Sequence, residues 1–274
     1  MPTIAEKRAA FRKLHEDGCF VIPNPWDVGS ALYLQHLGFP ALASTSAGFA
    51  FAQGRADNAV PRDEVLAHLA QLVAATAVPI NADFEGGFAD DPAGVAANVR
   101  LAAATGVAGI SIEDSTGRAE SPLYPIGLAA ERIRAARAAL DVTAPGVMLV
   151  GRAECYFVGH RDLDETIARL RAYSAAGADC LYAPGLSTRE EIAAVVAAVA
   201  PKPVNVVMLK PIGLTVADLA ALGVRRISLG SALARAAWGE LERSAREILD
   251  HGTFDRLGRA MPSATLNGLF RLRP

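Results

Sequence analysis

The chain has 274 residues, of which 51% are hydrophobic and 20% charged, and its formal net charge is −2. Without a basic tract, it offers no feature typical of proteins that bind nucleic acid or anionic membranes. Three widely spaced cysteines predict neither a disulfide framework nor a zinc site. The N-terminus lacks the apolar core of a signal peptide, and the most apolar run, residues 192–200, is too short for a bilayer. We therefore expect a cytoplasmic protein.

The predicted elements alternate between strands and helices from the start of the chain. Residues 4–17 form a predicted helix, and Asp27 is placed to cap a second helix through Leu37. A glycine that ends a helix and precedes a short apolar strand then recurs, at Gly38, Gly106, Gly177 and Gly223. Eight strands are predicted, near residues 20–23, 41–45, 79–84, 109–113, 147–152, 180–183, 204–207 and 226–229.

Alternation at this density predicts a parallel sheet with helical crossovers. Eight strand-helix units favour a single (β/α)8 TIM-type barrel over an open doubly wound sheet, and barrels of this kind commonly have about 250 residues. A capping box from Ser187 to Glu190 is predicted to open the helix over residues 192–199. We expect one domain over residues 1–274, with 250–274 as an extra helical segment on the rim or on another subunit.

The most informative stretch is residues 79–88, where an apolar strand ends in Asp83 and Glu85 and two glycines follow. Residues i and i+2 of a strand point to the same side, which predicts that both carboxylates face one way. Two such carboxylates suit a hard cation such as Mg2+. Solvated loop acids are the alternative for an isolated pair of this kind.

Further polar residues follow the other predicted strands. In a barrel these residues share the carboxyl-terminal face, where the chemistry of the fold occurs. The face would carry Thr45, Ser46, Asp57, Asp83, Glu85, Glu113, Asp114, Arg152, Glu154 and Asn205. Several acids with one arginine indicate a metal held by carboxylates and an anionic substrate paired with Arg152. A structural ring of ion pairs is the competing interpretation.

Two other reactive side chains fall close to this face. His160 follows the fifth predicted strand, where contact with a substrate is one alternative and a surface role is the other. Cys155 is expected either as a packed thiol or as a reactive one.

Five ordered motifs carry a family resemblance: residues 44–48, 53–57, 81–88, 109–114 and 150–154. Together they resemble the isocitrate lyase/phosphoenolpyruvate mutase superfamily, over about residues 18–236. The resemblance implies a (β/α)8 barrel that uses Mg2+, with Mn2+ as an alternative, on small 2-oxo or 2-hydroxy carboxylic acids. It also implies a homo-oligomer, either a dimer or a tetramer, in which the segment 253–270 is exchanged between subunits.

The resemblance also implies roles for individual residues. Asp83 would bind the metal directly, with Glu85 as a second acid, while Asp57 and Glu113 would hold metal-bound waters. Contact with the substrate would come from Thr45, Ser46, Ala47, Asp83, Arg152 and Asn205, and the predicted catalytic residues are Arg152, Glu113 and Asp57. A chelated oxo acid would break its adjacent bond through an enolate stabilised by the metal.

The predicted lid, residues 115–124, departs from the lyase pattern because it has no Cys, His or Lys. Its candidates for proton transfer are Ser115, Thr116, Arg118, Glu120 and Tyr124. We therefore expect a Mg2+-dependent lyase for a C–C bond, with an oxaloacetate-type decarboxylase preferred because loss of CO2 needs no acid at the leaving group. The alternatives are an acylpyruvate or malate-type lyase, a non-catalytic 2-oxo acid binder and, ranked last, a P–C bond enzyme.

Overall fold

The computed structural model describes residues 1–271 and contains eight parallel strands. The strands are β1 Phe20–Ile22, β2 Leu42–Ala43, β3 Ile80–Asp83, β4 Gly109–Glu113, β5 Met148–Arg152, β6 Cys180–Tyr182, β7 Val204–Val207 and β8 Arg226–Ser228. Each strand from β2 to β7 pairs with the next one along the chain, and β8 pairs with β1. The predicted barrel and all eight predicted strands are confirmed.

The seam of the barrel lies between β1 and β2, and single contacts bridge it. The backbone N–H of Ala43 donates to the carbonyl of Pro23 at 3.0 Å. Above this bond, Asn24 donates to the carbonyl of Ser44 at 2.9 Å and accepts from the N–H groups of Leu229 and Gly230 at 2.8 and 2.9 Å. Asn24 thus holds the loops after β1, β2 and β8 together at the carboxyl-terminal end.

The helices surround the sheet in the order that the glycine-strand repeat predicts. They are α1 Ile4–Leu14, α2 Val28–His36, α3 Ser46–Ala52, α4 Arg62–Ala75, α5 Pro92–Ala104, α6 Ile126–Thr143, α7 Leu163–Ala175, α8 Arg189–Val199, α9 Val216–Ala221, α10 Ala232–His251 and α11 Ser263–Arg271. Asp27 caps α2 as predicted. The capping box of α8 was predicted one residue too early, because Thr188 accepts from Glu191 N–H at 3.1 Å and Ser187 lies outside the helix.

The amino-terminal end of the barrel is closed by α1. This helix ends at Leu14, three residues earlier than predicted, and its Phe11 is fully buried inside the barrel. Phe11 belongs to a small apolar cluster with Phe20, Ile22, Ala41, Ala43, Ala108 and Met148. The amino-terminal end is therefore packed and apolar, which leaves the opposite end of the strands for a polar site.

The carboxyl-terminal segment exposes several large apolar side chains. Trp238, Leu241 and Leu249 on α10 are 48, 57 and 82% exposed, and Phe254 beyond it is 62% exposed. Phe270 of α11 lies beside Gly29 of α2. Within residues 1–271, no helix is both long enough and apolar enough to cross a membrane.

Candidate functional site

A small cavity opens at the carboxyl-terminal ends of the strands, with a volume of about 100 Å³. The predicted site residues that line it are Thr45, Ser46, Ala47, Asp57, Asp83, Arg152 and Asn205. Polar residues that sequence reasoning missed also line it, among them Asn24, Asn81, Ser111, Tyr182, Arg226 and Ser228. Glu85 and Glu113 are not part of its lining. The cavity thus gathers side chains from the ends of most of the strands.

Asp83 is the last residue of β3 and is held by the loop after β2. Its Oδ2 accepts from the N–H and the Oγ–H of Ser46, at 3.0 and 2.9 Å. The backbone N–H of Asp83 donates to Ser44 Oγ at 2.8 Å. Because both serines precede or begin α3, the segment 44–46 fixes the direction in which this carboxylate points.

Arg152, the last residue of β5, stands at the centre of the acids. Its Nη1 lies 3.3 Å from Asp83 and 3.2 Å from Glu113, and its Nε donates to Glu154. Although burial alone would lower it, the charges of Glu113 and Glu154 hold the pKa of Arg152 well above its usual range. The rings of Tyr182 and Phe157 lie 5.1 and 5.9 Å from the guanidinium. Arg152 is therefore pre-positioned beside the cavity by three carboxylates, which we name the inner acid cluster together with Glu85.

Glu85 lies outside the strand, contrary to the expectation from alternation. β3 ends at Asp83, and Glu85 has φ +47°, in the left-handed region that non-glycine residues rarely adopt. Its carbonyl accepts from the N–H of Glu113 at 3.0 Å, which supports this conformation. Burial, followed by the charges of Asp83 and Asp57, raises the pKa of Glu85 to about 8. Glu85 thus joins the acids through the loop and not through the strand.

The donor set of this region fits Mg2+. Mg2+ prefers oxygen ligands and is commonly held by one or two carboxylates while keeping several waters. Asp57, Asp83, Glu85, Glu113 and Glu154 supply only oxygen ligands around a single arginine. Burial, together with Glu154, Asp83 and Glu85, raises the pKa of Glu113 against the opposing effect of Arg152. A cation here would offset both causes of these shifts, the burial of the carboxylates and their mutual repulsion.

Arg132 is a positioning residue that the sequence pattern did not reveal. It is 1% exposed, and it donates to the carbonyls of Glu113 at 3.1 Å and Ala89 at 2.9 Å, and to that of Gly86. Its guanidinium also stacks 4.0 Å from the ring centre of Tyr124. Arg132 therefore fixes the loop that carries Glu85 against the end of β4.

Asp114 was expected on the same face as the other acids, and this expectation is wrong. Its Oδ2 accepts from Arg169 Nη1 at 3.0 Å and from Tyr173 Oη, and its Oδ1 accepts from the N–H of Glu154 at 2.8 Å. Arg169 and Tyr173 both belong to α7. Because adjacent residues at a strand end face opposite sides, Glu113 points to the inner acid cluster and Asp114 points to the helix layer.

The segment 115–124 folds as a short hairpin outside the cavity. Ser115 pairs with Leu123, and Thr116 N–H donates to the carbonyl of Pro122 at 2.9 Å. Arg118 lies 3.0 Å from Asp90, which also accepts from Tyr124 Oη. None of the five candidates for proton transfer lines the cavity in this conformation. Their predicted role in catalysis stays a prediction.

His160 and Cys155 have surroundings that explain them without a substrate. His160 Nε2 lies 2.8 Å from Glu165 and the imidazole is half-exposed. Within residues 1–271, His160, Asp162 and Glu165 are the only trio whose candidate ligand atoms lie within 4.8 Å of one another. Asp162 caps α7 and Glu165 is bound to Arg169, so this exposed trio serves the helix start. Cys155 is buried, and burial raises the pKa of its thiol.

The fold and the cavity define a (β/α)8 barrel with an oxygen-rich acidic site at the carboxyl ends of its strands. Residues 11–249 match the model of the phosphoenolpyruvate phosphomutase family, and the chain belongs to that family. The resemblance to the isocitrate lyase/phosphoenolpyruvate mutase superfamily is thereby confirmed.

Among curated relatives, an uncharacterized protein of Mycobacterium tuberculosis is 35% identical over 259 residues, 94% of each chain. An oxaloacetate decarboxylase of Bradyrhizobium sp. (strain ORS 278) is 30% identical over 209 residues, which cover 72% of this chain and 69% of the relative. The second of these relatives is named for the decarboxylation of oxaloacetate.

Solved structures extend the likeness. A candidate lyase/mutase from Burkholderia cenocepacia J2315 superposes with a TM-score of 0.96 at 51% identity, covering 98% of this chain and 97% of that one. Oxaloacetate acetylhydrolase in complex with oxalate gives a TM-score of 0.85 at 27% identity, covering 98 and 94%. A 2,3-dimethylmalate lyase also gives 0.85, at 26% identity and with 99 and 96% covered. The relatives that are named for a reaction are thus enzymes acting on small carboxylic acids.

Proposed function

We propose that this protein is a Mg2+-dependent lyase that removes CO2 from a small 3-carboxy-2-oxo acid of the oxaloacetate type. The observation that carries the proposal is the inner acid cluster. Three carboxylates contact Arg152, and Glu85 adds a fourth acid whose pKa is raised to about 8. This excess of acid over base lies at the end of the barrel where enzymes of this fold carry their sites.

In the proposed site, Asp83 and Glu85 would hold the metal, and Asp57 and Glu113 would hold its waters. When bound, Mg2+ supplies a Lewis acid that polarises the 2-oxo oxygen. Ser44 and Ser46 keep Asp83 in one orientation, at 2.8 and 2.9 Å. Mn2+ would be accepted by the same oxygen ligands.

Arg152 donates to the oxygen on which negative charge develops. The bond between C3 and the lost carboxylate breaks, its electron pair forms the C2=C3 double bond, the carbonyl π pair moves onto the 2-oxo oxygen, and CO2 leaves. The resulting enolate then takes a proton at C3 from water. Glu113 lies 3.2 Å from Nη1 of Arg152, and Glu154 accepts from its Nε. Because both carboxylates already hold the guanidinium in place, Arg152 needs little reorganisation as charge develops on the substrate.

The hairpin 115–124 supports decarboxylation over reactions that need an acid at the leaving group. It contains no Cys, His or Lys, and Arg118 and Tyr124 bind Asp90. The family resemblance implies a lysine in this loop for the enzymes that cleave P–C bonds, and its absence argues against that reaction here. An acylpyruvate or malate-type lyase would need one of these hairpin residues to turn toward the cavity.

The proposal is tested by measuring pyruvate formation from oxaloacetate at a fixed Mg2+ concentration, with and without EDTA. We expect a rate at least tenfold above that of Mg2+ alone, abolished by EDTA. A rate equal to that of free Mg2+ would overturn decarboxylation. Assays on malate-type and acylpyruvate acids would then identify the alternative lyases.

A non-catalytic 2-oxo acid binder is a second candidate, because Arg152 is already paired with three carboxylates and the hairpin lies away from the cavity. Binding of oxaloacetate without any product, measured by calorimetry and product analysis, would establish it.

We also propose that the exposed apolar side chains of α10 and the following segment form contacts between subunits in a dimer or tetramer. Leu241 and Leu249 are 57 and 82% exposed, more than a monomer surface favours for two large apolar residues on one helix. Light scattering should give a smaller particle for Leu249→Glu than for wild type, whereas Glu242→Gln serves as a control on the same helix. A monomeric wild-type protein would contradict this proposal.

A further inference from the structure

Arg226 is a buried arginine at the floor of the cavity, and its partners are all neutral. It begins β8, is 3% exposed and lines the cavity. Its Nε donates to Asn205 Oδ1 at 2.8 Å, and its Nη1 donates to Asn81 Oδ1 at 3.3 Å. Within residues 1–271, no ion pair joins Arg226 to a carboxylate, and its Nε and Nη1 bond to amide oxygens.

Arg132 also has only neutral hydrogen-bond partners, but it does not line the cavity, and the other buried arginines near the site are paired with carboxylates. Arg152 contacts three carboxylates, and Arg169 pairs with Asp114 and Glu165. A guanidinium stays protonated in a protein, and burying a charge without an anion is costly. The floor of the cavity therefore presents a cation whose counter-ion a ligand can supply.

The floor is fixed by its neighbours. Asn205 Nδ2 donates to Ser228 Oγ at 2.9 Å, which turns the amide oxygen toward Arg226. Asn81 Nδ2 donates to the carbonyl of Ala82 at 3.1 Å. A Cβ at position 109 would lie 2.5 Å from Asn81 Oδ1 and 2.7 Å from the ring of Phe11, so only glycine leaves Asn81 in this place. Arg226 is consequently held rigidly above the apolar cluster around Phe11.

The cavity changes character toward its mouth. Asn205 of β7 lies at the floor, and Val207, the last residue of β7, and Leu209 in the loop beyond it follow on the lining. On their outer side, Val207, Leu209 and Phe157 also border a groove that contains Arg161, Lys210 and Arg235, none of which lines the cavity. Phe157, which is 44% exposed, also lines the cavity. The cavity volume of about 100 Å³ is several times what one water needs, which suits a small acid.

We propose that Arg226 binds the carboxylate that the product retains, and that the carboxylate to be lost faces the apolar mouth at Val207, Leu209 and Phe157. This inference rests on the proposed 2-oxo acid chemistry. An ion pair with the lost carboxylate would stabilise the substrate more than the transition state, in which that charge disappears, and would slow the reaction. A cationic floor and an apolar mouth orient the acid in the productive direction.

The test is calorimetric binding of pyruvate and of oxaloacetate to wild type and to Arg226→Gln, each in Mg2+ and in EDTA. Arg225→Gln is the matched control, because Arg225 precedes Arg226 yet contacts Gly18 and Asp17 outside the cavity. Asn81→Asp is a second variant, which keeps the arginine but gives it a permanent counter-ion. We expect both cavity variants to lower the affinity for both acids at least tenfold, and Arg225→Gln to change neither.

Three results would overturn the inference. If Arg226→Gln weakens the binding of oxaloacetate but not that of pyruvate, Arg226 binds the carboxylate that is lost. If folded Asn81→Asp, verified by its melting temperature, binds both acids like wild type, Arg226 has only a structural role. If wild type binds neither acid, the floor holds no anion. Wild type that binds pyruvate but never converts oxaloacetate refutes the proposed decarboxylation alone, since the binding comparison stands without turnover.

Discussion

Glu113 and Asp114 are neighbours in the chain, yet they belong to two buried polar regions that differ in charge balance. Glu113 faces the inner acid cluster, where three carboxylates surround Arg152. Asp114 faces α7 and forms what we name the outer ion pair with Arg169, completed by Tyr173 and the N–H of Glu154. The inner acid cluster has an excess of carboxylates, whereas every oxygen of the outer ion pair has a donor.

The difference shows which region stabilises the fold and which serves a ligand. A satisfied buried pair connects β4 to α7, and breaking it leaves a charge without a partner. An unbalanced cluster costs free energy in the empty protein and gains it back when a cation binds. Perturbed groups at the mouth of a cavity are characteristic of functional sites.

The largest expected effect comes from Asp83→Asn. The rate of oxaloacetate decarboxylation should fall about a hundredfold to a thousandfold, because Asp83 is the proposed ligand of the Mg2+ ion that stabilises the developing charge. The melting temperature in EDTA should stay equal to that of wild type or rise, since one of the repelling carboxylates is neutralised. A variant that unfolds at a much lower temperature would show that Asp83 is structural.

Asp114→Asn should have the reverse profile. Removing one partner of a buried pair leaves Arg169 without its anion, which costs about 3–5 kcal/mol of unfolding free energy. Urea unfolding measures this cost, and Asp141→Asn is the control, because Asp141 pairs with Arg137 at 2.7 Å but is 61% exposed. Wild-type stability of Asp114→Asn with activity abolished would place Asp114 in the site and remove the contrast.

Metal binding should separate the two regions in a single experiment. Mg2+ at a hundred times its dissociation constant should stabilise wild type by about 2.7 kcal/mol, as mass action requires. The same addition should leave Asp83→Asn unchanged and should stabilise Asp114→Asn as much as wild type. A stabilisation that persists in Asp83→Asn would move the metal away from the inner acid cluster.

The sequence predicted the parts of this arrangement that depend on strand ends. Because all carboxyl ends of a parallel barrel share one face, Thr45, Asp83 and Arg152 could be placed together from their positions alone. The side on which each residue lies was harder to predict. Glu113 and Asp114 at the end of β4 have like charge and face opposite layers, and so do Arg225 and Arg226 at the start of β8. Only packing decides that Glu113 and Arg226 are the ones that point inward.

The position of Glu85 was predicted wrongly from strand alternation, because Glu85 lies in a loop. Alternation placed it beside Asp83, but the chain turns into the left-handed region at φ +47° after β3 ends. The loop is held by Arg132, 47 residues further along, through carbonyl groups that no sequence pattern identifies. Non-local hydrogen bonds of this kind explain why the sequence predicted neither Arg226 at the floor of the cavity nor Arg132, which holds the loop.

The last prediction is a pH dependence that belongs to the inner acid cluster. The pKa of Glu85 rises from 4.5 to about 8 on folding, by burial and the charges of Asp83 and Asp57. Between these values the folded protein binds more protons than the unfolded chain, so the unfolding free energy falls as pH rises.

Glu85→Gln removes this contribution, whereas Glu120→Gln, which changes an exposed acid of the hairpin, should keep it. Urea unfolding in EDTA from pH 4.5 to 8 should therefore give a flatter profile for Glu85→Gln than for either wild type or the control. Saturating Mg2+ favours the ionised carboxylate of Glu85 and should remove most of the difference between the profiles of wild type and Glu85→Gln. A difference that persists in Mg2+ would show that Glu85 lies away from the metal.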